Sequence, residues 1–310
     1  MTTLSSYPGN LYFNTLEPSE RHPDLLVAGL QSALVTVHKG SGVIEILAGE
    51  PAAHNYKEGV GRAARFRYIM GIAQLEHEYI LSDRINCCLR SVDYLSHETQ
   101  TFAGLCGSQG TADGSLVSAR FHLPRGMARD LIKPTVIYVV DYKALRKIDL
   151  STEMVLTLPG SYLSSGYTFG ITVNPADGLL VTSRHGVMQY KLNETVQWLT
   201  GSVNIGPACD ECGISSARFH SPRGLRFITS TVLLVADTFN KLRLINLTTG
   251  VATAIGAGKG YQDGPYQNSQ FHHPHSIAVD NSFIYIGERT GSLGDGGIRK
   301  LAYTGMCDSV

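Results

Sequence analysis

The sequence lacks the features that would place it in several common classes of protein. No stretch approaches eighteen consecutive apolar residues, so we find no candidate transmembrane helix. No long run of Ala, Leu, Glu and Lys is present, which disfavours a helical solenoid. Lys plus Arg and Asp plus Glu both number 26, so no overall field draws the protein to nucleic acid or anionic lipid. A local basic patch is compatible with this balance.

Familiar catalytic and targeting motifs are missing as well. The chain has no Ser-His-Asp order typical of a catalytic triad, no Gly-rich loop of the phosphate-binding kind and no HExxH zinc-binding motif. We therefore expect no catalytic residue, no metal ligand and no cofactor. The start, MTTLSSYPGN, has no charged segment followed by an apolar one, as a secretory signal would have. Either the protein is cytosolic or its signal lies outside this chain.

What the chain does contain is a repeated nine-residue pattern that ends in Phe. The copies end at Phe66, Phe121, Phe219 and Phe271, and each begins with an acid, namely Glu58, Asp113, Glu211 and Asp263. Pro124, Pro222 and Pro274 follow three places after the Phe. The interval from Phe121 to Phe219 is nearly double the others, which predicts a degenerate copy around Gly170. Self-similarity at this period is typical of a propeller or solenoid.

One repeat contains the four strands of a propeller blade. After Pro222, the segments GLRFI, TVLLVAD, KLRLINL and GVATAI are short, rich in β-formers and separated by turn residues. Four antiparallel strands form a blade. The pattern occurs six times, at approximately 6–49, 66–104, 121–160, 166–201, 219–256 and 271–310. We predict an all-β, six-bladed β-propeller that forms a single domain over residues 1–310.

The repeat also suggests structural roles for its residues. We expect Phe121 and Phe271 to fill the space between adjacent blades, and Asp113 and Asp263 to accept hydrogen bonds from backbone amides of the loop. The Pro-x-Gly should be the bend that starts the innermost strand. We expect the first and last blades to be held by packing alone. The alternative is that TTLSS pairs as an outer strand with blade six.

The segment ADTFNKLRLI, preceded by PRGLRFI and followed by GVATAIGAGKGYQDG, resembles an NHL repeat, and SDRINCCLRSV is a second good match. The resemblance covers nearly the whole chain and is weak in blades one and four. NHL-repeat proteins form six-bladed propellers, which agrees with the independent count. The resemblance leaves function open.

Six cysteines permit disulfides. Cys88 lies on a predicted third strand, and Cys106 lies just past the fourth strand that pairs with it. Their sulfurs could therefore meet with little backbone movement. Cys209 and Cys212 form a short CxxC that could stiffen a loop lacking its Gly. No pairing is predicted for Cys87 or Cys307. Reduced thiols in a cytosolic protein are the alternative.

Two sequons, at Asn193 and Asn246, fall in turns between third and fourth strands. Their number is no more than chance provides, but we expect the position to be an exposed rim that could carry a glycan. Together with the cysteines, they favour a secreted or cell-surface protein.

Two sets of residues are candidates for binding. His122, His220, His272 and His273 occupy matching or adjacent positions, but residues inherited by repetition would lie too far apart to share one metal. Arg125, Arg223 and His275 follow the repeated Pro, with Met70 at the matching place in blade two, so they should surround the mouth of the central channel. They could bind a small anionic ligand. The alternative is salt bridges to Asp113 or Glu211.

These observations favour a non-enzymatic, extracellular propeller that acts in protein recognition, adhesion or assembly, through a protein partner or self-association. One alternative is a metal-dependent lyase or hydrolase with its site in the channel, since some NHL-like propellers, such as the peptide-amidating lyases, hold metal there. A second is an intracellular RNA-binding propeller like those of TRIM-NHL proteins, which the zero net charge disfavours.

Overall fold

A computed structural model describes residues 1–7, 12–163, 168–174, 178–191, 194–201, 212–265, 267–289 and 296–302. Within these ranges the regular structure is almost entirely β-strand, and the one helical element is a 3-10 turn at Gly61–Ala63. The strands form six antiparallel sheets of four or five strands. The predicted six-bladed β-propeller is therefore confirmed.

Blades one to five are each built on four strands that follow one another in sequence from the axis outwards, and blade six has three such strands. Strand β1 is Thr2–Tyr7, and blade one contains β2 (Phe13–Pro18), β3 (Leu25–Leu30), β4 (Ala33–His38) and β5 (Ile44–Gly49). Blade two contains β6 (Gly59–Val60), β7 (Ile69–Gln74), β8 (Glu78–Asp83), β9 (Cys88–Asp93) and β10 (Glu98–Ala103). Blade three contains β11 (Gly114–Ser115), β12 (Pro124–Arg129), β13 (Val136–Asp141), β14 (Ala144–Asp149) and β15 (Met154–Thr157).

The second half of the chain continues the pattern. Blade four contains β16 (Ile171–Val173), β17 (Leu179–Ser183), β18 (Gly186–Tyr190) and β19 (Val196–Gly201). Blade five contains β20 (Cys212–Gly213), β21 (Pro222–Phe227), β22 (Val232–Asp237), β23 (Lys241–Asn246) and β24 (Val251–Ile255). Blade six contains β25 (Pro274–Val279), β26 (Phe283–Arg289) and β27 (Gly296–Ala302). The two-residue strands β6, β11 and β20, which the sequence analysis missed, add a fifth strand to the outer edges of blades two, three and five.

The ring is closed by a strand. β1 pairs antiparallel with β27 and forms the outer strand of blade six, and the Thr3 amide donates to the Asp263 carboxylate at 2.9 Å. The expectation of closure by packing alone was wrong, and the alternative pairing was right. The chain from Tyr7 to Phe13 can extend about 20 Å, whereas three strand spacings amount to about 14 Å. A long crossover segment is therefore unnecessary.

The Pro-x-Gly marks a bulge, and its Gly allows adjacent innermost strands to approach closely. The register of β12 shifts between Pro124 and Met127. The Gly126 amide donates to the carbonyl of Phe169 in the next blade at 2.9 Å, and a Cβ on Gly126 would overlap that carbonyl. Contacts of this kind bring β2, β7, β12, β16, β21 and β25 together around a narrow channel.

The Phe of each motif packs between two blades. Phe121 is fully buried among Ile80 and Leu89 of blade two and Ile148 of blade three. Phe271 is fully buried between blades five and six in the same way, against Leu234 and Ile284. Each blade therefore buries its faces against its neighbours, as repeat architectures require.

The acid of the motif bonds the fourth strand of the following blade instead of the loop. Asp113 accepts hydrogen bonds from the amide and hydroxyl of Thr157 at 2.9 and 2.8 Å, and Asp263 contacts Thr3 in the same manner. Asp141, at the end of a second strand, takes the role expected of the motif acid, because it accepts the loop amides of His122 and Leu123, each at 2.9 Å. The expected partner of the motif acid was therefore wrong.

A buried arginine on the third strand joins these two acids. Arg146 is 1% exposed and contacts Asp141 at 3.2 Å and Asp113 at 3.0 Å. Arg299 contacts Glu288 and Asp263 in the same arrangement. The sequence signal for this network is an apolar residue followed by Arg, at Leu89-Arg90, Leu145-Arg146, Leu242-Arg243 and Ile298-Arg299.

Candidate functional site: the channel mouth

The channel mouth is the end of the central channel at which the innermost strands begin, and we call the surface around it the top face. A cavity of about 40 Å³ lies on the axis, and the residues that line it at this end are Asn14, Met70, Phe169, Arg223 and His275. Four of these occupy the position after the first residue of an innermost strand, in β2, β7, β21 and β25. The structure thus places Arg223, His275 and Met70 together.

Arg125 lies beside this cavity. It is 4% exposed, and its guanidinium donates to the carbonyl of Thr168 at 2.7 Å. The guanidinium carbons of Arg125 and Arg223 lie 4.7 and 3.9 Å from the centroid of the Phe169 ring. Both cations are therefore held against one aromatic ring by cation–π contact. Phe169 was missed because the blade-four copy of the motif has lost its Phe anchor and its Pro.

Two further arginines extend the positive charge. Arg289 lies 5.1 Å from the centroid of the Tyr12 ring, and that ring contacts His275 at 5.3 Å. Arg84 is half-buried and lies close enough to Arg125 and Arg223 to lower the pKa of both. Each of Arg84 and Arg289 directly follows the acid at the end of a second strand, which is a sequence signal that could have identified them.

Burial and mutual repulsion perturb the charged groups of the mouth. Burial, followed by the charges of Arg84 and Arg223, lowers the pKa of Arg125 to about 10. Burial also lowers the pKa of Arg223 to about 10, and Arg84 and Arg289 add to the effect. The pKa of His275 lies well below its ordinary value because the ring is buried and faces Arg223 and Arg289. His275 is therefore neutral at pH 7.

Carboxylates near the mouth are occupied by other arginines. Asp83 and Glu288 pair with Arg90 and Arg299 at 3.5 and 3.3 Å. The alternative of a salt bridge from Asp113 to a mouth cation was wrong, because Asp113 bonds Arg146. Glu211 lies outside the described residues. Within the described parts of the chain, no carboxylate lies within 4 Å of the guanidinium groups of Arg84, Arg223 or Arg289.

The opposite end of the channel has a different electrostatic character. A cavity of about 270 Å³ there is lined by both signs of charge. Arg226 pairs with Glu17, and Arg129 pairs with Glu20 at 3.3 Å. We call the surface around this second mouth the bottom face. The arginines that line this mouth have carboxylate partners, whereas Arg84, Arg223 and Arg289 at the top face have none among the described residues.

The repeated histidines do not come together. His122 stacks on Tyr142 with ring centroids 4.3 Å apart, and His220 and His272 contact Phe239 and Tyr261 at 4.7 and 5.0 Å. Across the described ranges, no group of three or more His, Cys, Asp or Glu side chains is placed to hold a metal ion.

One predicted disulfide is confirmed. Cys88 and Cys106 are bonded, with Cα atoms 5.0 Å apart. Cys212 is half-buried in β20, and its proposed partner Cys209 lies outside the described residues, as does Cys307. Cys87 is buried, and burial raises the pKa of its thiol. The pairing of Cys209 with Cys212 stays a prediction.

The sequon at Asn246 is less exposed to solvent than expected. Asn246 is 8% exposed, and its side-chain oxygen accepts the amides of Thr248 and Thr249 at 2.9 and 3.1 Å. The expected exposure of this side chain was wrong, because Asn246 stabilises the turn from within. Asn193 lies outside the described residues. Glycosylation stays a prediction at both positions.

Comparison with solved structures identifies proteins of similar fold. An auxiliary nutrient binding protein from Bacteroides thetaiotaomicron is 14% identical, with a TM-score of 0.72 over 96% of this chain and 72% of that chain. One from Bacteroides ovatus is 15% identical, with a TM-score of 0.71 over 97% and 76%. A nidogen/laminin complex matches at 14% identity and a TM-score of 0.56, over 85% and 84%.

These similarities show the propeller fold alone, because all three identities are below 25%. No protein-family model matches the sequence, and no curated protein is significantly similar to it. Membership of the NHL family therefore stays a prediction. Among the described residues, no helix is both long and apolar enough to cross a membrane.

Proposed function

We propose that this chain is a non-enzymatic, extracellular propeller that recognises a protein partner through its top face. The observation that carries the proposal is the difference in charge between the two ends of the channel. Arg84, Arg223 and Arg289 surround one mouth without carboxylate partners in the described structure, whereas the arginines of the other mouth are paired. Such a face attracts an acidic surface and disfavours a basic one.

The side chains exposed on the top face have the chemistry of a binding surface. Tyr162, Phe239 and Tyr261 lie in loops on this side and are 70%, 58% and 40% exposed. Arg and aromatic residues are enriched among the residues that contribute most to protein–protein binding. Arginines around the channel, with aromatic rings outside them, form a surface suited to an acidic partner.

Two further observations support an extracellular binding role. The Cys88–Cys106 disulfide is a bond that persists in oxidising compartments. Propellers of similar fold include auxiliary nutrient binding proteins and a member of the nidogen/laminin complex, whose names describe binding. At their low identity they support a binding role in general and no particular partner.

A retention experiment with face-specific variants tests the proposal. Wild-type protein, an Arg289→Gln/Phe239→Ser variant of the top face and an Ile132→Ser/Lys133→Gln variant of the bottom face are immobilised separately. Extracellular proteins from the organism that makes the chain are passed over each. We expect wild type and the bottom-face variant to retain the same acidic proteins, and the top-face variant to retain at least about tenfold less. Equal retention by all three would contradict the proposal.

The compartment has its own test. The natively produced protein is analysed by intact mass before and after reduction and deglycosylation. Extracellular protein should gain the mass of two hydrogen atoms on reduction for each disulfide. Six free thiols and a mass unchanged by glycosidase would contradict secretion.

A further inference from the structure

We infer that the channel mouth binds a carboxylate group, held by Arg223, His275 and Asn14 beside the ring of Phe169. The inference deepens the proposed function and rests on it in one respect. The carboxylate belongs to the protein partner, as an acidic side chain or a chain terminus. The site itself is argued from the groups that line one cavity.

The first argument is an excess of hydrogen-bond donors. The Nδ2 of Asn14 and the Nε of Arg223 are buried and lack a hydrogen-bond partner in the described structure. His275 is 6% exposed, and its ring makes no hydrogen bond with the described residues. Most buried polar groups in folded proteins are hydrogen-bonded. The two unpartnered donors of Asn14 and Arg223 line one cavity with the His275 ring beside them, and an oxyanion there would accept from both.

The second argument is the crowding of positive charge. Arg125 and Arg223 lie against the same Phe169 ring, Arg84 is close enough to repel both, and Arg289 is close enough to repel Arg223. Confined cations of like sign destabilise one another in a low-dielectric site. One negative charge placed among them removes part of this repulsion, so the mouth selects an anion over a neutral ligand.

The third argument is size. The cavity has a volume of about 40 Å³, and roughly 10–15 Å³ is needed to hold one water molecule. The space is therefore small and suits a compact group such as a carboxylate. A guanidinium and a carboxylate are both planar and form paired hydrogen bonds. A tetrahedral phosphate lacks this planar match.

Titration calorimetry with sodium acetate tests the site without the protein partner. Ionic strength is held constant with chloride, and inorganic phosphate is titrated in parallel. We expect saturable millimolar binding of acetate, as a ligand of four non-hydrogen atoms allows. Arg223→Gln should weaken it at least tenfold, whereas Arg218→Gln, in the same repeat but away from the mouth, should leave it unchanged. Absence of saturation, equal loss in both variants, or tighter binding of phosphate would overturn the inference.

A second pair of variants supplies the carboxylate from within the chain. Met70 lines the cavity, so Met70→Glu would place an acid among the arginines, and Met70→Gln is the neutral control of the same shape. We expect Met70→Glu to melt at a higher temperature than Met70→Gln at pH 7 and to lose acetate binding. A lower melting temperature for Met70→Glu would overturn the inference. These results do not depend on partner retention, so failure of the carboxylate site and failure of the proposed function are distinguishable.

Discussion

Replacement of Arg146 by Met tests whether the buried acid–arginine network holds the blades together. Arg146 is 1% exposed and contacts Asp141 at 3.2 Å, Asp113 at 3.0 Å and the carbonyl of Arg120 at 2.8 Å. Met occupies much of the same volume but donates no hydrogen bond. The substitution therefore removes charge and donors while leaving most of the packing.

The expected loss of stability follows from the acidic groups that remain after Arg146 is removed. Asp141 is 2% exposed, and without Arg146 its carboxylate is a buried charge supported by two backbone amides. Removal of one partner of a buried pair costs about 3–5 kcal/mol. The side chain of Asp113 is 42% exposed, so water screens its bridge to Arg146 and that bridge contributes less than about 1 kcal/mol. We expect a total loss of about 3 kcal/mol or more.

Urea unfolding at pH 7 measures these quantities. Asp113→Asn is the control and should cost less than about 1 kcal/mol. In Arg146→Met/Asp141→Asn the orphaned charge is gone, so the double variant should be at least about 1 kcal/mol more stable than the sum of the single changes predicts. A loss below about 1 kcal/mol for Arg146→Met, or additive changes, would refute the reasoning.

Three other predictions follow from the structure. Gly126→Ala should cost about 1–3 kcal/mol in urea unfolding, because its Cβ would overlap the Phe169 carbonyl, whereas Gly213→Ala, with its nearest contact at 3.6 Å, should be almost neutral. Breaking the Cys88–Cys106 disulfide, with a sequence separation of 18 residues, should cost about 3 kcal/mol in melts of Cys88→Ser. Burial raises the pKa of Glu288 from 4.5 to about 7, so its contribution to stability is full below pH 4.5 and is lost as pH rises through 7. Glu288→Gln should therefore gain stability relative to wild type across that interval.

Each of these has a clear opposing outcome. Equal costs at Gly126 and Gly213 would mean that the innermost strands can separate to admit a methyl group. Unchanged melting of Cys88→Ser would show that the loop is already ordered without the bond. A constant difference between Glu288→Gln and wild type from pH 4 to 8 would show that Glu288 is ionised with an ordinary pKa.

The sequence was sufficient to predict the blades but not the way the ring closes. Phe121 and its copies mark each blade because every junction must fill the same gap, so the repeat is visible as a spacing. The pairing of β1 with β27 occurs once and has no copy, so no periodicity reveals it. It depends on the distance that the chain must cross, which requires three-dimensional structure.

The candidate site was predicted in part for a related reason. Arg223 and His275 occupy the same repeat position, so their convergence at the axis follows from the symmetry of the fold. Phe169 lies in blade four, whose copy of the motif has lost its Phe anchor and its Pro. Arg289 reaches the mouth from the end of a second strand, as Arg84 does, and not from the repeated Pro-x-Gly. The hydrogen-bond partner of Asp113 could not be predicted from the motif. The motif shows which side chains recur, but it does not show which strand or loop supplies the groups that donate hydrogen bonds to them.

Hydrogen exchange of the complex with a retained acidic protein tests the central claim most directly. If the top face is the binding surface, amides around Arg84, Leu123 to Gly126 and Ser221 to Leu225 should exchange more slowly in the complex. Amides of the bottom-face loop at residues 130–135 should exchange at the same rate as in the free protein. Protection confined to the bottom face or to the outer edges of the blades would contradict the account.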